Sequence, residues 1–305
     1  MIRYLRLQDN KIVDCPQNGH EIMVVTAPDE AEKRLLIDEY KLDAHTLNSA
    51  LDPDELSRIE FEPEHVAMIY KNPRNYSSED NFLFKVMSIG LFLFKDKIIV
   101  VMNEDLTLFV GRTYNRVQSL PEVALKLLYS SVVHFTEHLK AISSISDELE
   151  NLINQSMENK YLLNMFTLEK SLVFFLRAIN SNAALLEKLK ANALRLGFTP
   201  EQIETLDDTI IENSQCNRQA EIYSNILASL MDARASIVSN NLNLLIKKLT
   251  FITIALMLPT LVVSIFSMNV DLPFNETHHL SFWFVISLAF ASILSFWAYW
   301  RYNKW

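Results

Sequence analysis

The side chains of this chain best suited to handling an ion lie on one stretch, Leu249–Met268, twenty residues without a charge. Its hydroxyl residues are Thr250, Thr253, Thr260, Ser264 and Ser267, and Met257 fills the gap between the threonines. Successive members are separated by 3, 4, 3, 4 and 3 residues, which places them on one stripe of a helix. Continued backwards, the stripe takes in Ile246 and Asn243. Two readings fit a mildly polar stripe on an apolar helix. Hydroxyls in lipid commonly satisfy neighbouring helices or their own backbone carbonyls. A scattered set would suit that reading better; a single continuous stripe points to a water-filled lumen.

Other chemistry is sparse. There is no Gly-rich phosphate loop and no nucleophile elbow. The seven histidines show no metal-ligand pattern with carboxylates. His134 and His138 share a helical face beside Glu137, but the pattern of a metalloprotease is incomplete, and a packed or solvated pair is the simpler reading. Asp147, Glu148, Glu150 and Glu158 cluster where a helical bend is expected, and read as a solvated tip. Cys15 and Cys216 are too few and too far apart for a disulfide framework or a zinc site. A formal net charge of −9 argues against nucleic acid as the main partner and is compatible with gathering cations. No enzyme is expected.

The elements that must carry the stripe follow from where chain breakers are missing. The four glycines are Gly19, Gly90, Gly111 and Gly197, and neither Gly nor Pro occurs over Glu122–Leu196 or Glu201–Leu258. Such runs, rich in Leu, Ala, Glu and Lys, predict long helices. Residues 1–115 read as a mixed α/β domain, with a hairpin turn at Asp9-Asn10 and an antiparallel pair over Phe82–Phe94 and Lys97–Met102. Residues 121–197 read as an antiparallel helical hairpin turning near Glu158-Asn159-Lys160. Residues 199–248 read as a stalk helix, capped by Thr199 and keeping a 3/4 apolar alternation from Ile203 to Ile237. At 1.5 Å per residue, a helix running on through the apolar stretch would reach roughly 100 Å.

Residues 249–268 and 280–300 are each about long enough to span ~30 Å of hydrocarbon. The segment between them, 269–279, contains Asp271 and Glu276 but no Lys or Arg, whereas Lys247, Lys248, Arg301 and Lys304 flank the spans and 301–305 form a basic tail. The positive-inside rule puts both termini in the cytoplasm and the loop outside, and Trp283, Trp297, Trp300 and Trp305 fit interfacial anchors. The N-terminus, with Arg3 and Arg6, has no apolar core of signal-peptide type. One hairpin cannot enclose a lumen, so several copies around an axis are expected.

At Ser239–Thr250 (Ser-Asn-Asn-Leu-Asn-Leu-Leu-Ile-Lys-Lys-Leu-Thr), and on through Pro259-Thr260 to Ser267-Met268-Asn269, the sequence resembles the CorA-type magnesium transporter family. Leu47–Glu60, with Ala50-Leu51-Asp52 and Ser57-Arg58-Ile59-Glu60, is similar to that family's motif in the cytoplasmic domain, and the order of elements matches throughout. The resemblance implies a funnel-shaped homopentamer in a bacterial or archaeal inner membrane, with the first spans lining one axial pore. It implies a selectivity filter at Ser267, Met268 and Asn269, where Ser267 departs from the family's Gly, and a pore lined by Asn243, Ile246, Leu249, Thr250, Thr253, Met257, Thr260 and Ser264. It implies an interfacial regulatory carboxylate at Asp232, with Glu79 or Asp80 as candidate partners, and an acidic external loop at Asp271 and Glu276. Mg²⁺ sheds its water reluctantly, so a ring of Asn269 amide oxygens suits a hydrated ion held in the outer sphere. Asn269 also suits a helix C-cap. The function expected is passive Mg²⁺ uptake closed by cytoplasmic Mg²⁺. The alternatives are transport of Zn²⁺, Co²⁺ or Ni²⁺ and, because of Ser267, a non-conducting oligomeric scaffold.

Overall fold

The structure is a computed structural model and describes every residue except 78–79, 107, 110–113, 115, 156–158, 269–277 and 303–305. Its contacts divide the chain into two units, Met1–Met231 and Asp232–Trp305.

The first unit is built on a seven-stranded sheet. Its strands are β1 (Ile2–Gln8), β2 (Lys11–Asp14), β3 (Ile22–Thr26), β4 (Arg58–Phe61), β5 (His65–Pro73), β6 (Val86–Phe94) and β7 (Ile98–Met102), in the order β2-β1-β3-β7-β6-β5-β4. The β1–β2 hairpin turns at Asp9 and Asn10, both with positive φ (53° and 60°), the geometry a two-residue hairpin loop requires. Strand β7 is the unbroken run Ile-Ile-Val-Val-Met and lies between β3 and β6, parallel to the first and antiparallel to the second. Strands buried on both faces read as continuous apolar runs rather than alternating ones, and β7 follows that rule.

Residues of β7 divide by parity. Ile99 and Val101 join a core with Leu36 and Leu47, from helices α1 (Glu30–Asp38) and α2 (Ala44–Leu51). Ile98, Val100 and Met102 join the opposite core with Leu125, Leu128 and Leu189, from α3 (Leu120–Gln155) and α4 (Asn159–Ala191). The sheet is therefore covered on both faces. Gly90 in β6 permits the closest approach on the α2 side: a Cβ there would stand 2.6 Å from Ala50 Cβ.

The hairpin α3–α4 is fixed to the sheet by a buried polar hub. Asn182 of α4 pairs like a neighbouring strand with both backbone groups of Lys71 on β5, accepting from its N–H and donating to its carbonyl, each at 2.8 Å. Ser131 of α3 donates to the same carbonyl at 2.7 Å. The Lys71 ammonium donates to the Pro53 carbonyl at 2.7 Å and to Ser88 Oγ at 2.8 Å. Such bonds contribute about 0.5–1.5 kcal/mol each when made, and leaving one buried partner unmet costs more.

Helix α4 ends at Ala191, short of residue 197, where the hairpin was expected to end. Residues 192–197 form turns instead, closing on Gly197 with φ +71°, a left-handed helix end that favours glycine. The chain then enters α5 (Pro200–Phe266), where Thr199 Oγ accepts from Gln202 N–H and Gln202 Oε1 accepts from Thr199 N–H, with Pro200 at the first helical position. Helix α5 begins in the first unit and ends in the second. There α6 (His278–Tyr302) packs on it through Phe251 against Phe296 and Trp300 (ring centroids 5.3 and 4.6 Å) and Phe266 against Phe284 (6.5 Å).

Candidate ion pathway

The apolar ends of α5 and α6 are each long and apolar enough to cross a membrane, and nothing in those stretches is buried within the chain. A core helix of a soluble protein would be buried. On α5 the half-buried positions are Phe251, Ala255, Leu258, Pro259, Val262 and Phe266, the face turned to α6. Thr250, Thr253, Met257, Thr260, Ser264 and Ser267 are all exposed. At 3.6 residues per turn the two sets lie on roughly opposite sides of the helix. The hydroxyl stripe thus does not serve packing against α6. Leu249 at 66 % and Met257 at 64 % exposure find no cover in their own chain either.

The hydroxyl hydrogens of Thr253, Thr260 and Ser267 are spent inward. Thr253 donates to the Leu249 carbonyl at 2.8 Å, Thr260 to the Leu256 carbonyl at 2.7 Å, and Ser267 to the Ser264 carbonyl at 2.9 Å. This matches one half of the lipid reading, satisfaction by the helix's own carbonyls. It also fixes what these three hydroxyls offer outward, since a hydroxyl whose hydrogen is committed presents only its lone pairs. Ser267 is accommodated without strain: it is not among the positive-φ residues, and its N–H donates to the Val263 carbonyl at 3.1 Å.

The remaining expected positions divide clearly. Asn243, Ile246 and Met268 are exposed on or just past α5, and Asp232 is exposed on the same helix. Ile246 and Thr250 also line a groove of about 290 Å³ shared with Phe296, Tyr299 and Trp300 of α6, so the stripe at its Lys247 end borders the α5–α6 crevice. Asn269, Asp271, Glu276 and Glu79 lie outside the described residues. Asp80 is described: it accepts from Ser77 N–H at 2.8 Å and Ser77 Oγ at 2.9 Å, and those bonds hold its carboxyl below the usual range. Among the described residues no three His, Cys, Asp or Glu side chains converge on a metal-sized position.

Residues 18–301 match the model of the CorA-like Mg²⁺ transporter protein family. The chain belongs to this family. A curated relative, the cobalt/magnesium transport protein CorA of Methanocaldococcus jannaschii, is 24 % identical over 288 residues, covering 91 % of this chain and 89 % of the relative. The complete structure of the CorA magnesium transporter from the same organism superimposes with a TM-score of 0.84 at 20 % identity, covering 99 % of this chain and 97 % of that one. The full-length CmaX protein gives 0.76 at 14 % identity over 100 % and 97 %. Members of the CorA family are ion transporters rather than enzymes, in keeping with a stripe of neutral oxygens.

Sequence reading passed over two polar constellations of the first unit, the Lys71–Asn182 hub and a cleft between β5 and α3. Their members are far apart in sequence. The one local signal was the spacing of Leu127, Ser130, His134 and Glu137 on a single face of α3.

Proposed function

We propose that the chain assembles as a homopentamer and conducts Mg²⁺ passively into the cytoplasm. The hydrated ion moves along an axial pore lined by Asn243, Ile246, Leu249, Thr250, Thr253, Met257, Thr260 and Ser264. The observation carrying this reading is the exposed hydroxyl stripe opposite α6, with the hydrogens of Thr253, Thr260 and Ser267 committed to the helix's own carbonyls. A hydrated cation presents only water hydrogens at its surface, and a row of acceptor lone pairs complements that surface without stripping it. Ser267, Met268 and Asn269 form the outer filter, with Asp271 and Glu276 raising the local cation concentration. Rings of Ile246, Leu249 and Met257 close the lumen by dewetting. Cytoplasmic Mg²⁺ bound at Asp232 between copies favours the closed state, and its loss shifts the population towards open. Both termini are cytoplasmic.

Ser267 in place of the family's glycine favours a second reading, a non-conducting scaffold. Mg²⁺ influx into proteoliposomes under an inside-negative potential separates the two. Conduction predicts saturable influx that Asn269→Ala lowers by at least about tenfold, roughly 1.4 kcal/mol. Undiminished influx in that variant refutes the filter, and no influx from an intact assembly supports the scaffold. Competition by Zn²⁺, Co²⁺ and Ni²⁺ in the same vesicles reports which ion is preferred.

A further inference from the structure

The groove between α5 and α6 is not explained by the transport reading, and its chemistry is that of a bilayer's edge. It holds about 290 Å³, and its walls are mostly hydrocarbon: Ile246 and Ile254 of α5, and the rings of Phe296 and Trp300 of α6. Phe251 packs on those two rings at 5.3 and 4.6 Å between centroids, which fixes the α6 wall in place. Because Phe266 in turn meets Phe284, the two helices run antiparallel. Lys247, Tyr299 and Trp300 therefore share one end of the groove. Ile254 lies about 12 Å further along the axis than Ile246. The groove thus runs no deeper than one leaflet of a ~30 Å hydrocarbon core.

The occupant follows from charge. Lys247 sits just before the charge-free stretch begins, at the level of the lipid headgroups whichever way the chain is threaded. Amphipathic rings such as Tyr299 and Trp300 are favoured at the same depth. No Asp or Glu occurs over 233–270 or 277–305. Asp232 lies about 22 Å back along α5, and Asp271 and Glu276 belong to the connection between the other ends of the two helices. A second copy threaded the same way would bring apolar surface to the groove, but no carboxylate side chain at this level. An anionic phospholipid brings both an acyl chain and a phosphate.

We infer that this groove is a binding site for an anionic phospholipid. One acyl chain lies along Ile246, Ile254, Phe296 and Trp300, and the Lys247 ammonium donates to the phosphate. Tyr299 donates its hydroxyl hydrogen to the same headgroup. The site needs only the α5–α6 hairpin in a bilayer, so it stands whether or not the chain conducts.

Quenching of tryptophan fluorescence by brominated lipid tests this on the full chain in reconstituted vesicles. Trp300 is kept as the single reporter, with Trp283, Trp297 and Trp305 replaced by Phe. Phosphatidylcholine vesicles carry, at equal mole fraction, either phosphatidylglycerol or phosphatidylcholine brominated on the acyl chains. The brominated phosphatidylglycerol is expected to occupy the site beside Trp300 about fivefold more favourably, the attraction of one lysine near the surface. Lys247 is exposed, so its variants keep the fold. Lys247→Gln brings the ratio close to one and Lys247→Arg keeps it. Lys248→Gln, next door but outside the lining, leaves it unchanged. Equal quenching by the two lipids, a preference that survives Lys247→Gln, or one that Lys248→Gln abolishes equally overturns the inference. So does quenching by neither lipid, which would mean that a second copy fills the groove.

Discussion

On α3 the imidazoles of His134 and His138 lie 4.4 Å apart, centroid to centroid, in an edge-to-face arrangement within the aromatic core of Phe84, Phe135 and Phe175. Burial pushes both pKa values down, His134 to about 4 from an ordinary 6.5. The linkage has a definite sign. The unfolded chain takes up the His134 proton first, so stability is intact above about pH 6.5 and is lost as pH falls towards about 4. Thermal unfolding of the full chain between pH 7 and 4.5 measures it. His134→Gln, which cannot titrate, flattens that slope, and an unchanged slope would show that the ring is protonated or exposed in the folded protein. The same residue illustrates what single-residue reading achieves. A packed or solvated histidine pair was expected from the i, i+4 spacing, whereas Asn72 as the partner fixing the tautomer was not, since 62 residues separate it from His134.

At the scale of elements, the breaker-free runs and the hairpin turn were legible because each is set by local propensity. Asp9-Asn10 supplies left-handed backbone where β1 must reverse, and the absence of Gly and Pro after their first turns lets α3 and α4 run unbroken and carries α5 to Leu258, beyond which it continues through Pro259. Strand β4 was not legible. Its sequence is Arg-Ile-Glu-Phe, four residues at the sheet edge with only Ile59 fully buried, too short for a periodic signal. The start of β6 was misread by four residues, because Phe82 and Phe84 are apolar for a different reason: they belong to the helical core. Gly90 shows the same limit. Nothing local marks it, yet α2 lies so close that Gly90→Ala would bring its Cβ to 2.6 Å from Ala50 Cβ and 3.0 Å from the Phe92 ring. We expect the substitution to destabilise the protein by about 1–3 kcal/mol through overpacking. Chemical denaturation would detect it, and Gly90→Ala combined with Ala50→Gly should recover part of the loss. Wild-type stability in the single variant would mean that α2 sits further from β6.

For the whole molecule, one exposed helix face decides the interpretation. A lone chain exposes Leu249, Met257 and the hydroxyl stripe, and a single helix cannot enclose water. Copies arranged around an axis, each turning that face inward with α6 outside, would cover the stripe and form a lumen. The stripe was legible in the sequence because its spacing is helical. Its direction was not, because that depends on where α6 packs, which is set by Phe251, Phe266 and their aromatic partners. The filter role proposed for Asn269 rests on family resemblance alone, and the residue lies outside the described ones.

The most direct measurement is aqueous accessibility of that face in the assembled protein. In a background with Cys15 and Cys216 replaced, cysteines at Thr253, Thr260 and Ser264 are compared with cysteines at Ala255 and Val262 on the α6 side, using a membrane-impermeant thiol reagent. The account predicts modification at the first three positions, slowed by millimolar Mg²⁺, and none at the other two. Protection of Thr253, Thr260 and Ser264 under conditions that conduct Mg²⁺, or equal labelling of both faces, would contradict it.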